Sequence, residues 1–279
     1  MKKYFILMAA VLLCACQSED DRVKDGGAQA IRFEISGDFG SPTFTRSLSA
    51  DGVEMTDLWI FDFINEECVQ SLHLTPEDDG WDAPVMTLAM GNHNVCFVAS
   101  RGSDPVLDES AQTITWGSPR DAFWADKDVT VSQGSSAVVV ELFRVATKLK
   151  VVVNDKVPAN AASIVVKPER WYYGINYWTG EPAGMKTQER SVAIPASYVG
   201  TTGQLAASFF GISAKNEWTT NVAISAKDAD GNVIASVAIT GAPFKANRAT
   251  EYSGRLFGED AGMTVSLSEE WESPHVGTW

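Results

Sequence analysis

Side chains suited to acid–base, nucleophilic or metal chemistry are few and far apart in this 279-residue sequence. The three histidines, His73, His93 and His275, lack the short spacings that bind a metal or build a metal-dependent hydrolase. His93 stands between two asparagines, which favours a turn. The sequence contains no phosphate-binding glycine loop and no nucleophile elbow. We therefore expect no catalytic residue, no metal and no cofactor, and we predict that the protein is not an enzyme.

Aromatic side chains are concentrated in one segment, where Trp171, Tyr172, Tyr173, Tyr177 and Trp178 fall within eight positions. Aromatic rings exposed on loops often mark binding sites, and their apolar faces stack on sugar rings. One hypothesis is therefore a ligand-binding surface for glycans. The alternative is that the rings close the end of a β-sandwich or fill an interface between two domains.

The overall charge narrows the choice of partners. Asp and Glu number 36 against 22 Lys and Arg, which gives a formal net charge of −14. A surface of this sign repels phosphate backbones, so nucleic acid is not an expected partner.

The start of the chain has the pattern of an export signal. Two lysines precede an apolar run of about ten residues, which is too short to span a bilayer and is typical of a signal peptide. We assign residues 1–15 to it. Leu13, Ala15 and Cys16 resemble the lipobox of bacterial lipoproteins, in which the cysteine is diacylated and anchors the chain in a membrane. The alternatives are a cut before Cys14 and a freely secreted protein.

An acidic stretch follows Cys16 directly, in a tether that we place at residues 16–27. It resembles the export signal of Bacteroidetes lipoproteins that reach the outer face of the outer membrane, which implies a lipid-anchored, surface-exposed protein. The alternative is a solvated acidic linker. The residues of the candidate signal are Gln17, Ser18, Glu19, Asp20 and Asp21.

The elements that must position these groups are predicted to be β-strands. Alternating apolar and polar residues dominate the chain from Ile31 onward, where Ile31, Phe33 and Ile35 share one face. Leu58–Phe63 is apolar on both faces, which favours a central buried strand. Asp228–Asn232 is typical of a hairpin turn. The pattern predicts an all-β protein.

The length of the chain favours two domains. We predict two antiparallel β-sandwich domains, over residues 28–144 and 145–279, with few short helices, for example near Pro119–Ala125. The boundary lies in Leu142–Ala146, where one apolar strand leads into the next without a linker.

Two cysteines, Cys68 and Cys96, lie within the first predicted domain. An exported protein permits a disulfide between them. Each cysteine also lies among apolar residues, where a free thiol packs as a small hydrophobic group.

Three segments carry a resemblance to a known family. Residues 58–63 resemble its first strong strand, residues 142–151 its crossing into a second domain, and residues 242–254 its proline, Asn-Arg and glycine segment before a late strand. In this order, and with the lipobox, they resemble the fimbrillin family of Bacteroidetes, the subunits and anchors of type V pili.

The resemblance implies two transthyretin-like, Greek-key sandwiches and assembly at the cell surface. In polymerising members a protease cuts after an arginine, which removes the lipid and a first strand, and a strand of the next subunit fills the groove. Here the implied cut follows Arg46, and Ile31, Phe33 and Ile35 belong to the displaceable strand. The alternative for Arg46 is an ordinary loop residue.

The expected function is that of a lipid-anchored pilus subunit or anchor in cell adhesion, with release into fimbriae after cleavage. Its partners would be the outer membrane, other subunits by strand exchange, and glycans or proteins of host or bacterial surfaces. The alternative is a stand-alone surface lipoprotein that binds glycans through the aromatic segment. The sequence does not separate a stalk, tip or anchor role.

Overall fold

The computed structural model describes residues 27–37, 54–187, 189–203 and 205–268, which form β-strands and one short 3-10 helix, Ala196–Tyr198. The first nine strands are β1 (Ala28–Gly37), β2 (Asp57–Ile64), β3 (Glu67–Leu74), β4 (Val85–Ala89), β5 (Gly91–Ser100), β6 (Ser103–Asp108), β7 (Thr113–Ser118), β8 (Ala122–Val131) and β9 (Ala137–Arg144). The next ten are β10 (Ala146–Val153), β11 (Ser163–Pro168), β12 (Trp171–Asn176), β13 (Pro182–Lys186), β14 (Arg190–Ala193), β15 (Leu205–Ile212), β16 (Trp218–Lys227), β17 (Val233–Phe244), β18 (Arg248–Arg255) and β19 (Gly262–Ser268). The all-β prediction is confirmed.

Three sheets contain these strands. The first has the order β3-β2-β5-β8-β9-β1-β4, the second β19-β18-β10-β15-β12-β7-β6, and the third β14-β11-β16-β17. In addition, β13 pairs with β12. The prediction of a short helix near Pro119–Ala125 is wrong. Ala122 begins β8, and alternate side chains of this strand enter two different cores.

Apolar side chains at alternate positions along the strands form the hydrophobic cores. One face of the first sheet curls around a core that includes Ile31, Phe33, Leu58, Ile60 and Phe97. A second core lies between the other two sheets. The opposite face of β2 contributes to a third core, together with residues of β7 and β12. This double burial is the reason that β2 is apolar on both faces.

The hairpin of β6 and β7 links the first part of the chain to the second. It precedes residue 144 in sequence, yet β7 pairs with β12 in the second sheet. Contacts between the two halves are therefore built into a continuous sheet as well as into the third core. The division of the chain at residue 145 stays a prediction.

The two halves share one unusual pairing. β1 is antiparallel to β4 and parallel to β9, and β10 is antiparallel to β15 and parallel to β18. A parallel pair requires a long crossover connection, because a tight turn joins only antiparallel neighbours. The first strand of each half is therefore held by strands that lie far from it in sequence.

Candidate functional site

The candidate site is the slot that β1 occupies in the first sheet. The strand lies between β9 and β4, and hydrogen-bonded neighbours flank it on both sides. The Phe33 amide also donates to the Pro84 carbonyl, and the Arg32 amide to the Ser136 carbonyl, each over 2.9 Å. The strand thus belongs to the interior of the sheet and does not cap its edge.

The side chains of β1 fill the first core. Ile31 and Phe33 are buried, and Ile35 is half-buried on the same face. The Phe33 ring meets the Phe97 ring edge-on, with 5.0 Å between the centroids. Alternation therefore places the three predicted residues as a row of apolar groups that enter one groove.

Removal of β1 would leave an apolar groove with unpaired backbone on both walls. Among the described strands, β4 pairs only with β1, so it would have no sheet partner. The exposed floor would include Met86 and Leu88 of β4 and Val140 of β9, which are buried beside β1. A groove of this kind accepts an extended strand through backbone hydrogen bonds and alternate side chains.

The other predicted site residues at the start of the chain lie outside the described residues. These are the lipid-attachment residue Cys16, the acidic signal Gln17, Ser18, Glu19, Asp20 and Asp21, and the cleavage residue Arg46. Their roles stay predictions.

A buried charged network at the end of β9 was missed by sequence reasoning. One carboxylate, Asp121, accepts from Arg101 Nη1 over 2.6 Å and from Arg144 Nε over 2.8 Å. The Arg144 Nη1 atom also donates to Asn247 Oδ1 over 3.0 Å. The network therefore joins the residue 142–151 segment to the residue 242–254 segment, the two that carried part of the family resemblance. Arg144 lies within an otherwise apolar stretch of the sequence, and this was the feature that could have indicated a buried charged network.

The two described histidines are held by aspartates. The turn expected at His93 is wrong, because His93 lies buried in β5 with Nδ1 at 2.7 Å from Asp62 Oδ1 and Nε2 at 2.9 Å from the Ala89 carbonyl. His73 stacks on Trp59 and lies 2.8 Å from Asp57. The described residues contain no group of three side chains suited to hold a metal ion.

The aromatic segment does not form an exposed platform. It lies on β12 and the following turn, where Trp171, Tyr173 and Tyr177 are buried and Tyr172 and Trp178 are half-buried. Three of the five rings are thus packed in cores and present no face to a sugar. Tyr177 stacks on the Phe61 ring at 3.8 Å between centroids, which places it in the contact between the two halves of the chain. This burial favours the alternative in which the rings fill an interface, and a ligand-binding role for the half-buried Tyr172 and Trp178 stays a prediction.

The two described cysteines are free. Cys68 lies on β3 and Cys96 on β5, with β2 between these strands. Neighbouring strands lie about 4.8 Å apart, so the Cα atoms of the two cysteines are at least about 10 Å apart, beyond the roughly 7 Å limit for bridged Cα atoms. Burial raises the pKa of both thiols, and the more deeply buried Cys96 is shifted further.

Comparison of the structure with solved proteins confirms the resemblance at the level of the fold. A candidate adhesin from Bacteroides ovatus superposes with a TM-score of 0.55 at 12% identity, over 82% of this chain and 88% of that chain. The fimbrial anchor protein Mfa2 from Porphyromonas gingivalis superposes with a TM-score of 0.53 at 9% identity, over 87% of this chain and 98% of that chain. No curated protein matches the sequence.

Within the described part of the chain, no helix has the length and hydropathy of a membrane span.

A family model described as a family of unknown function, DUF6562, matches residues 108–278, which is more than half of the chain. The chain therefore belongs to the DUF6562 family.

Proposed function

We propose that this protein is a surface fimbrial subunit or anchor that acts in cell adhesion, is lipid-anchored at Cys16 and assembles by strand donation. The observation that carries the proposal is the position of β1. It is an interior strand, it fills the first core with Ile31 and Phe33, and it is joined to the sheet by non-local pairing on both sides. Loss of such a strand opens a groove that another strand of the same pattern can refill.

The fold supports this proposal in a second way. Solved proteins with the same fold include a fimbrial anchor protein and a candidate adhesin, and the shared fold extends over most of each chain. Fold alone does not specify function. The proposal therefore depends on the groove and on the predicted anchor and cleavage residues.

Lipid attachment is tested by following the chain in membrane fractions and by incorporation of labelled fatty acid. We expect Cys16→Ala to abolish labelling and to release the protein from the membrane. Cys14→Ala is the matched control and should leave both unchanged. Loss of labelling in the Cys14 variant alone would move the anchor to the alternative cut.

Strand donation is tested by cleavage and peptide rescue. We expect trypsin-like cleavage after Arg46 to convert the chain into a shorter species that forms oligomers, and we expect Arg46→Ala to prevent both. Arg32→Ala, an exposed arginine on β1, is the control. A synthetic peptide of residues 28–37 should refill the groove and cap the oligomers, whereas the same peptide with Phe33→Asp should not.

A chain that stays lipidated and monomeric under protease would overturn the polymerising role and leave that of an anchor. Failure of the wild-type peptide to bind the cleaved chain would overturn strand donation itself.

A further inference from the structure

Surfaces of opposite charge lie near the two ends of the first sheet. Leu58, Ala99, Phe123 and Arg144 form one row across β2, β5, β8 and β9. The other end of β2 is Ile64, six residues along the strand and thus about 20 Å away at about 3.3 Å per residue. A groove with basic side chains lies beside the first row, and an acidic cleft lies beyond the far end of β2.

The basic groove has a volume of about 520 Å³. Its basic side chains are Arg144, Lys215, Lys245 and Arg248, against one lining acid, Glu141. Arg144 and Arg248 already pair with Asp121 and Glu217.

The two lysines of the basic groove are available to form ion pairs with a binding partner. Among the described residues, neither Lys215 nor Lys245 pairs with a carboxylate, and Lys215 lies 5.2 Å above the Trp124 ring. Phe143, which is 54% exposed, adds an apolar surface to the same groove. The groove therefore presents two available ammonium groups around one exposed aromatic ring.

The acidic cleft has a volume of about 600 Å³ and is formed by the turn between β2 and β3 with the loop between β6 and β7. Glu66, Glu67 and Glu109 are exposed in its lining, which includes no Lys or Arg. Val69 is 51% exposed in the same cleft. The cleft thus offers carboxylates and an apolar contact where the groove offers ammonium groups and an aromatic ring.

We propose that the basic groove binds the acidic cleft of a second copy of this chain. The two surfaces have complementary charge, each has an exposed apolar side chain, and they lie at opposite ends of one sheet. A contact between different surfaces of identical chains is heterologous, and its repetition builds an open row of subunits, or a ring where the rotation closes. Complementary charges steer such a contact and fix its direction. This inference rests on the proposed assembly function, for which it specifies the second contact surface.

The test uses charge reversal in the full chain with Arg46→Ala, so that cleavage and strand exchange do not contribute. Self-association is measured in detergent by sedimentation velocity at 50 mM and 500 mM salt. We expect association at the lower concentration and its loss at the higher one, because salt screens exposed charges. Lys215→Glu with Lys245→Glu, or Glu67→Lys with Glu109→Lys, should each weaken association by at least about tenfold.

The decisive experiment mixes the groove variant with the cleft variant. The two reversed variants should associate with each other, since the unchanged basic groove of one meets the unchanged acidic cleft of the other, and the two reversed surfaces also carry opposite charges. Lys167→Glu and Asp79→Lys, at exposed positions outside both surfaces, are the controls and should behave as the parent chain. A monomeric parent chain at low salt, association that is insensitive to the reversals, or no association in the mixture would each overturn the inference. Each result is independent of whether Cys16 is lipidated or Arg46 is cleaved.

Discussion

Arg144 donates from Nε to Oδ1 of Asp121 over 2.8 Å, and both side chains are buried where β9 leads into β10. The same carboxylate also accepts from Arg101, so Asp121 forms ion pairs with two guanidinium groups. The Arg144 guanidinium carbon also lies 4.9 Å from the centroid of the Phe123 ring. The end of β9 is therefore held by a buried network of ion pairs.

We predict that Asp121→Asn lowers the free energy of unfolding by about 3–5 kcal/mol, since it breaks the buried ion pairs of Asp121 with Arg101 and Arg144. Urea unfolding followed by tryptophan fluorescence measures the change. Asp79→Asn, in an exposed turn, is the control and should change stability by less than about 0.5 kcal/mol. An equal effect of the two substitutions would contradict a special role for the Asp121 network.

Local sequence patterns predicted the elements whose geometry depends on neighbours in the chain. The alternation of Ile31 and Phe33 gave the buried face of β1, and the hairpin expected at Asp228–Asn232 is present, with the Asp228 carboxylate accepting from the amides of Asp230 and Asn232. Such features follow from a period of two and from side-chain bonds to nearby backbone.

Pairings between strands that are distant in sequence were not predicted. The sequence contains no local signal that β7 pairs with β12 or that Asp121 lies between Arg101 and Arg144. The density of rings in the aromatic segment fits either a ligand surface or an interface between domains, and the choice depends on packing against β7 and β2, which lie far away in sequence. Pairing and burial of this kind are decided by tertiary context.

We predict that Phe33→Ala destabilises the chain by about 3–5 kcal/mol, because it removes a fully buried ring from the first core. Glu34→Ala, the next residue on the exposed face of β1, is the matched control and should have little effect. Chemical denaturation measures both. Similar stabilities of the two variants would show that β1 is not an integral part of the core.

We predict that Gly174→Ala weakens the link between the β6–β7 hairpin and the second sheet. A Cβ atom at Gly174 would lie 2.3 Å from the Ile114 carbonyl oxygen, so β7 would have to move away from β12. Overpacking of this kind costs about 1–3 kcal/mol. Gly262→Ala, where a Cβ atom meets nothing within 4 Å, is the control. Hydrogen exchange at the amides of β7 should be faster in the Gly174 variant alone.

We predict that the two cysteines differ in reactivity. Burial, with the Asp126 charge as a smaller cause, raises the pKa of Cys96 far above its ordinary value of 9.0, and Cys68 is raised less. The thiolate is the reactive form. Iodoacetamide at pH 8 should therefore label Cys68 first and Cys96 only after unfolding, as read by peptide mass mapping. Faster labelling of Cys96 in the native chain would contradict its burial.

The same burial predicts a loss of stability in alkaline solution. The Cys96 thiol stays protonated in the folded chain above pH 9, whereas in the unfolded chain it ionises, so the folded state binds more protons and stability falls as pH rises. The slope from this group approaches about 1.4 kcal/mol per pH unit. Tyr177, whose pKa burial raises to about 12, acts in the same direction above pH 10. Cys96→Ala should flatten the decline between pH 9 and pH 11 relative to the parent chain, and Cys68→Ala, the control with the smaller shift, should flatten it less. An unchanged slope in the Cys96 variant would assign the alkaline loss to other groups.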